Sequence, residues 1–237
     1  MSEIKVKDKD IVVPGEELAE GMDFIPSGAA YRVKDKIYSN RVGLVQVDGR
    51  IVKVIPLNGK YNPERNDVVI GKIEDILMSG WRIDLFSPYE GVLNIRDASD
   101  RFIKKGEDLT RFFQIGDWVM AKVTNVTTQK LVDLTTKGYG LGKLEPGRII
   151  KVSPYKVPRI IGKKGSMMRM ITKATDCKIN VGQNGIIWIS GSPEQEILVA
   201  KVIKLIEEEA HISGLTARIK EFLEKETGKK IEEGDSI

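Results

Sequence analysis

The residues best suited to do chemistry are Ile160-Ile161-Gly162-Lys163-Lys164-Gly165-Ser166-Met167-Met168-Arg169-Met170-Ile171, where two glycines bracket two lysines. Apolar residues lead into the loop, and a helical pattern leaves it. Glycine removes the Cβ atoms that would hold a phosphate away from the chain. The first amides of the following helix point at such an anion, and the helix dipole favours it there. The lysines add formal charge. The chemistry implied is capture rather than reaction: a grip on the backbone of RNA or single-stranded DNA.

Local charge agrees. From Pro146 to Thr175 there are eight basic residues, Arg148, Lys151, Lys156, Arg159, Lys163, Lys164, Arg169 and Lys173, and no Asp or Glu. The whole chain carries 38 basic and 34 acidic residues, a net of +4, so outside this window it is net acidic by four. Concentrated charge of this kind, rather than global pI, marks a phosphate-binding face.

The elements around the loop form a domain. Arg148 to Val152 reads as a strand and Pro154 to Ile161 as a short helix. Ser166 to Thr175 reads as a second helix, with Met167, Met168, Met170 and Ile171 as apolar candidates. Cys177 to Val181 and Ile186 to Ser190 read as strands about a Gly182-Gln183-Asn184-Gly185 turn. Ser192 caps a long helix, with Pro193 at its first position and Glu194 and Glu196 in its first turn. Ile197, Val199, Ala200, Ile203, Leu205 and Ile206 are its expected buried face. This order resembles a KH domain of the eukaryotic type, over about Gly147 to Ala210. The resemblance implies a clamp on the backbone of about four nucleotides. Gly162, Lys163, Lys164 and Gly165 would form it, with Lys156, Arg159 and Arg169 as neighbouring RNA contacts. Ile161 and Ile171 would line or support an apolar groove for the bases, or serve as plain core.

Before it, Val68 to Ile76, Trp81 to Leu85, Gly91 to Ile95, Ile115 to Val123 and Leu131 to Thr135 read as five short strands. A longer connection with helical character, Asp100 to Phe113, follows the third. That spacing fits an OB-type barrel. The runs Asn66-Asp67-Val68-Val69-Ile70-Gly71-Lys72-Ile73, Gly80-Trp81-Arg82-Ile83-Asp84-Leu85, Gly91-Val92-Leu93-Asn94-Ile95 and Gly116-Asp117-Trp118-Val119-Met120-Ala121-Lys122-Val123 resemble the S1 RNA-binding family. Members of that family that bind RNA well usually carry an aromatic residue near the second strand and a histidine near the third. Arg82 and Asn94 stand there in this sequence, and the family's late acidic and basic pair falls near Thr127 and Lys130. A stacking platform could come from Trp81, which could equally be core. Arg82, Arg96, Lys122 and Lys130 could form an electrostatic track for RNA or an ordinary mixed-charge surface.

The first 60 residues read as a small all-β domain, with a strand over Ile11 to Glu16 that runs into a Pro14-Gly15 turn and further strands at Tyr31 to Val33, Ile37 to Ser39, Val42 to Val47 and Ile51 to Ile55. Asp35-Lys36 and Asp48-Gly49 are expected hairpin turns. The domain has no charge cluster, phosphate loop or convergent acid pair, so docking is its expected role. The fold class is therefore mixed: an N-terminal β domain (1–60), a central S1-like OB barrel (64–137) and a C-terminal α+β KH domain with further helices (146–230).

Catalysis finds little support. His211, at the end of the long helix, is the one histidine, and Cys177, in an expected strand, is the one cysteine. Together they cannot build a zinc site without carboxylates. Glu207-Glu208-Glu209 reads as a solvated face. No cofactor, catalytic residue or metal site is expected. Met1 to Asp10 is charged and unlike a signal peptide, and no run is long enough to span a membrane, so the expected location is cytoplasmic.

The run Val12-Val13-Pro14-Gly15-Glu16-Glu17-Leu18-Ala19-Glu20-Gly21, the S1-like barrel, the KH-like domain and the segment His211-Ile212-Ser213-Gly214-Leu215-Thr216 with its following helix resemble the RNA-binding cap subunits of the archaeal exosome. The resemblance covers essentially the whole chain. It implies a non-catalytic subunit, three copies of which sit on a hexameric ring of phosphorolytic subunits and direct the 3′ end of single-stranded RNA into its channel. Two other readings compete. One is a transcription elongation or antitermination factor of the S1 and KH type, which usually carries two KH units. The other is a nuclease or a fragment of polynucleotide phosphorylase.

Overall fold

A computed structural model describes residues 3–99, 101, 103, 107–210, 212 and 214–228. The chain divides into two compact units, Met1–Gly59 and Lys60–Ile237.

The first unit is all β. Its strands are β1 (Glu3–Ile4), β2 (Ile11–Val12), β3 (Glu17–Glu20), β4 (Ile25–Gly28), β5 (Ala30–Val33), β6 (Lys36–Ser39), β7 (Gly43–Asp48) and β8 (Ile51–Pro56). They form two four-stranded sheets, ordered β1-β3-β6-β5 and β2-β7-β8-β4. Val12, Leu18, Ala19, Ile37, Val45, Val52 and Val54 fill the core. The strand from Ile11 ends at Val12 and runs into the expected turn at Pro14 and Gly15, with Gly15 at φ 86°. β3 escapes sequence reading because Glu-Leu-Ala-Glu favours a helix by propensity. Pairing with β6 overrides that preference, and a bulge between Glu17 and Ala19 lets adjacent Leu18 and Ala19 both face inward. Each expected hairpin turn lies one residue off. Lys34 and Asp35 make the first, with Lys34 at φ 56°, and Gly49 and Arg50 make the second, with Gly49 at φ 56°.

The second unit holds the barrel and the KH-like domain. The barrel strands are β9 (Val68–Leu77), β10 (Gly80–Asp84), β11 (Gly91–Asn94), β12 (Trp118–Val126) and β13 (Val132–Thr135). β9 pairs β10, β10 pairs β11, β11 runs parallel to β13, and β13 pairs β12, which closes back on β9. This is a closed five-stranded OB-like barrel. Val69, Ile73, Trp81, Ile83, Leu93, Val119, Ala121, Val123 and Leu134 fill it. β14 (Gly142–Lys143) adds to β12 on the outside. Of the helical connection expected from Asp100 to Phe113, residues 100, 102 and 104–106 lie outside the described residues; a 3-10 turn stands at Leu109–Arg111.

The KH-like domain follows the expected order: β15 (Arg148–Lys151), α1 (Val157–Ile161), α2 (Ser166–Thr175), β16 (Lys178–Val181), β17 (Ile186–Ser190), α3 (Pro193–Glu208) and α4 (Leu215–Thr227). The sheet is antiparallel with β17 central. The helix expected over Pro154 to Ile161 is split: a 3-10 turn over Pro154–Lys156 precedes α1. Ser192 caps α3 as expected, accepting from the Gln195 amide at 3.4 Å. The buried face of α3 is Val199, Val202, Ile203 and Ile206, an i, i+3, i+4, i+7 stripe. Ile197, expected inside, is 46% exposed, and Ala200 and Leu205 are half-buried; Val202 was missed. Cys177 is buried, and burial pushes its thiol above the usual pKa. His211 lies outside the described residues. Glu207 and Glu209 are not merely solvated. Glu207 accepts from the Ser153 amide at 2.8 Å, and Glu209 pairs with Arg218 of α4 at 2.8 Å.

Barrel and KH-like domain are joined by a latch. Asn184, in the turn between β16 and β17, is buried. Its carboxamide donates to the Ile70 carbonyl at 2.7 Å and the Leu85 carbonyl at 2.9 Å, and accepts from the Ile70 amide at 3.2 Å. Ile70, Ile186 and Trp188 form a separate small core beside it, with Phe86, Trp118 and Met120 against it. Ile70 thus points out of the barrel yet is fully buried. A Cβ on Gly182 would come 2.8 Å from the Ile70 nitrogen, so only glycine permits this approach. Asn184→Ala removes three buried hydrogen bonds and leaves Ile70 and Leu85 groups unsatisfied, at a cost of about 2 kcal/mol. The expected result is a lower urea midpoint at unchanged slope; an unchanged midpoint would show that the latch contributes nothing.

Candidate nucleic-acid interface

The glycine loop sits between α1 and α2. The Gly162 amide donates to the Pro158 carbonyl at 3.0 Å, closing α1, and the Gly165 amide donates to the Gly162 carbonyl at 3.1 Å. Gly162 has φ 76° and Gly165 φ 77°, while Lys164 between them also lies in the left-handed region at φ 52°. The two glycines serve different ends. A Cβ on Gly162 would approach Met167 to 2.8 Å, so the fold itself requires glycine there. A Cβ on Gly165 would meet nothing within 4 Å; that position needs glycine for its backbone angle and is open in front. The following amides of the α2 first turn have no intrahelical acceptor, as at any helix start. Lys163 and Lys164 are exposed above them.

Four of the eight cations of the basic segment have these partners in the fold. Arg148 pairs with Glu196 at 3.5 Å, and the Lys151 ammonium lies 3.9 Å from the Phe86 ring centroid. Lys156 donates to the Glu207 carbonyl at 2.8 Å, and Arg159 donates to the Ile212 carbonyl at 3.3 Å. Lys156 and Arg159, expected as RNA contacts, thus also reach the end of α3 and the segment after it, with Arg159 exposed. Lys163, Lys164, Arg169 and Lys173 are exposed on the loop and on α2. Arg169 and Lys173 lie one turn apart on that helix and share a face. Ile171 is fully buried and belongs to the core; Ile161 is half-buried and has surface to offer.

On the barrel, the stacking role open to Trp81 is excluded by burial. The side chain is wholly inside, its indole N–H donates to the Phe113 carbonyl at 3.1 Å, and it meets the Phe113 ring edge-on with centroids 5.2 Å apart. Arg82 is surrounded by acid: Asp75 at 3.2 Å, Glu74 at 3.8 Å and Glu90 at 3.9 Å. Three carboxylates about one guanidinium interrupt the expected cationic track there. Lys130, at φ 66° in the β12–β13 turn, sits 5.7 Å over the Tyr89 ring. Arg96 is exposed at the 3-10 turn Ile95–Asp97, and Lys122 is half-buried on β12. The Thr127 hydroxyl accepts from the Leu131 amide at 3.0 Å, so Thr127 shapes that turn.

Comparison with known proteins matches this architecture. Residues 9–58 match the family described as the exosome RNA binding protein RRP4 N-terminal domain, and residues 147–208 match the KH domain family. A protein of Methanothermus fervidus named exosome complex component Rrp4 is 45% identical over 92% of this chain and 96% of its own length. The chain belongs to the Rrp4 family of exosome components. Its Pyrococcus furiosus relative of the same name is 45% identical over 94% of this chain and 86% of that one. A crystal structure provisionally described as an exosome complex RNA-binding protein superposes with TM-score 0.65 at 39% identity, over 71% of this chain and 97% of that one. Membership decides for the exosome resemblance over the elongation-factor one.

Sequence reading passed over one class of surface residue in this family member. Ile11, Val13, Met22, Ile25, Tyr31, Val33, Val42, Ile51, Ile55 and Leu57, all in the first unit, are exposed large apolar side chains. On sheet β2-β7-β8-β4, Ile11 and Ile55 flank Leu44 in one row, and Ile25 pairs Ile51 in another. The alternation of β8 carries the sign of this face: Val52 and Val54 point inward, so Ile51 and Ile55 must point out.

Proposed function

We propose that this chain is a non-catalytic RNA-binding cap subunit of the exosome. It captures single-stranded RNA on its KH-like loop and passes the 3′ end to a hexameric ring of phosphorolytic subunits. The observation that carries the reading is the open glycine loop with four exposed cations on the loop and α2, in a chain 45% identical to proteins named exosome complex component Rrp4. The exposed apolar side chains on the outer face of the first unit, Ile11 and Ile55 in one row and Ile25 and Ile51 in another, support docking on the ring, since exposed apolar surface on a small domain marks an interaction site. Three copies would cap one ring, with the first unit as its docking domain, the S1-like barrel near the entrance and the KH-like domain outside it.

The chain by itself is expected to leave labelled single-stranded RNA intact, with or without phosphate and magnesium. Addition of the ring subunits should restore phosphate-dependent shortening. Shortening by the pure chain that survives stringent purification would overturn the non-catalytic assignment. Gel-filtration of the mixture tests the assembly directly.

A further inference from the structure

We infer that Tyr139 is a base-stacking contact for single-stranded nucleic acid, supplying an aromatic platform that Trp81, buried in the barrel, does not. The proposal rests on the RNA-binding reading above and adds a site to it. The loop from β13 to β14 reads Lys137-Gly138-Tyr139-Gly140-Leu141-Gly142-Lys143. Its tyrosine has a relative exposure of 106%, so the fold uses neither face of the ring. Other aromatic residues of this unit are committed. Trp81 packs on Phe113, Phe86 stacks on Trp118 at 5.5 Å, Trp188 is buried, and Tyr89 is half-buried under Lys130.

The backbone explains the presentation. Gly138, Gly140 and Gly142 have φ of 136°, 77° and 122°, angles that glycine adopts readily and that let the chain turn tightly on both sides of Tyr139. A Cβ on Gly140 would meet nothing within 4 Å, so the loop is open on that side next to Tyr139. Its feet are fixed. The Thr136 hydroxyl donates to the Ala98 carbonyl at 2.7 Å, and the Leu144 amide donates to the Trp118 carbonyl at 2.8 Å. Between them β14 pairs with β12, Gly142 opposite Met120. A ring on a short loop with anchored ends loses little freedom when a base lies on it, which favours binding.

Charge selects the ligand. From residue 137 to 144 the chain holds two lysines and no carboxylate. Lys143 is held by Asp117 at 2.5 Å, while Lys137, two residues before Tyr139, is exposed. An aromatic face next to a cation suits a base with its phosphate, and any base has a π-face to offer. The contact should therefore be strong but indifferent to sequence.

The test uses the full chain and a single-stranded oligonucleotide, titrated at several salt concentrations. Tyr139→Ala should weaken binding by between about fivefold and about a hundredfold, the range of a lost stacked base. The salt slope should stay that of the wild type, because the ring carries no charge. Tyr139→Phe should restore most of the affinity. An oligonucleotide bearing 5-iodouracil should photocrosslink to the peptide containing Tyr139. Binding by the wild type with equal affinity of Tyr139→Ala and no crosslink at the loop would overturn the proposal while leaving the RNA reading intact. So would a Tyr139→Ala variant that binds RNA normally but fails to join the ring, which would assign the ring to a protein contact. No binding by the wild type would overturn both.

Discussion

Replacing Lys163 and Lys164 together with Asp is expected to weaken single-stranded RNA binding on the order of 100-fold. Each exposed lysine can make one charge-assisted phosphate contact, worth about 1.5 kcal/mol. Two such losses amount to about 3 kcal/mol, or about two decades in Kd. The new carboxylates would also sit at the amino end of α2, where an approaching phosphate would meet them directly. The salt dependence should become shallower by about 1.4 in log–log slope, from about 0.7 per phosphate on single strands. Stability should change little. Both side chains are exposed, and position 164 is left-handed at φ 52°, a region that Asp occupies more readily than Lys. Affinity and slope measured by fluorescence anisotropy, with a melting curve alongside, decide it. Equal affinity and equal slope would mean that the loop does not touch RNA.

Removal of residues 1–59 is expected to abolish assembly with the phosphorolytic ring while leaving a fragment that folds and binds RNA. The cut follows the division between the two compact units, and each has its own apolar core. The removed unit takes with it Ile11, Ile25, Ile51 and Ile55, whose exposure no internal packing explains. The remaining unit keeps the glycine loop and the exposed cations of α2. Co-purification with tagged ring subunits measures the first outcome, and anisotropy with labelled RNA the second. Assembly undiminished by the deletion would move the docking surface to the other unit. A point variant of the same face, Ile25→Lys with Ile51→Lys, should weaken assembly in the full chain; these side chains already face water, so folding is spared.

Much of this was legible in the sequence because it depends on local periodicity and on backbone chemistry. The glycine loop was recognisable since its residue types are dictated by position. Gly162 must avoid Met167, Gly165 must adopt φ 77°, and the exposed lysines suit the proposed grip on phosphate. The KH order and the five barrel strands followed from alternation and turn residues, with edges displaced by a residue or two. Charge counting found the basic segment. It could not sort that segment, because tethering depends on partners far away in the chain. Lys156 is drawn to the Glu207 carbonyl, and Lys151 to the ring of Phe86.

Tertiary structure alone decided the rest. Period-two alternation along β9 places Val69 and Ile73 inside and Ile70 outside, which is correct for the barrel; yet Ile70 is fully buried because Ile186 and Trp188 cover it. Nothing near Ile70 in sequence announces a partner more than a hundred residues on, and Asn184 reads as an ordinary turn residue until its carboxamide is seen on the barrel strands. The two faces of Trp81 were undecided for the same reason: a tryptophan in a barrel strand stacks on a base or fills a core according to which way the strand turns it. The register of β10 turns it inward onto Phe113, and that leaves Arg82, half-exposed among three carboxylates, on the outside. Sequence determined which residues could bind and what they could bind. The long-range packing, set by apolar burial between segments distant in the chain, decided which side chains it buried, as with Trp81, and which it left at the surface.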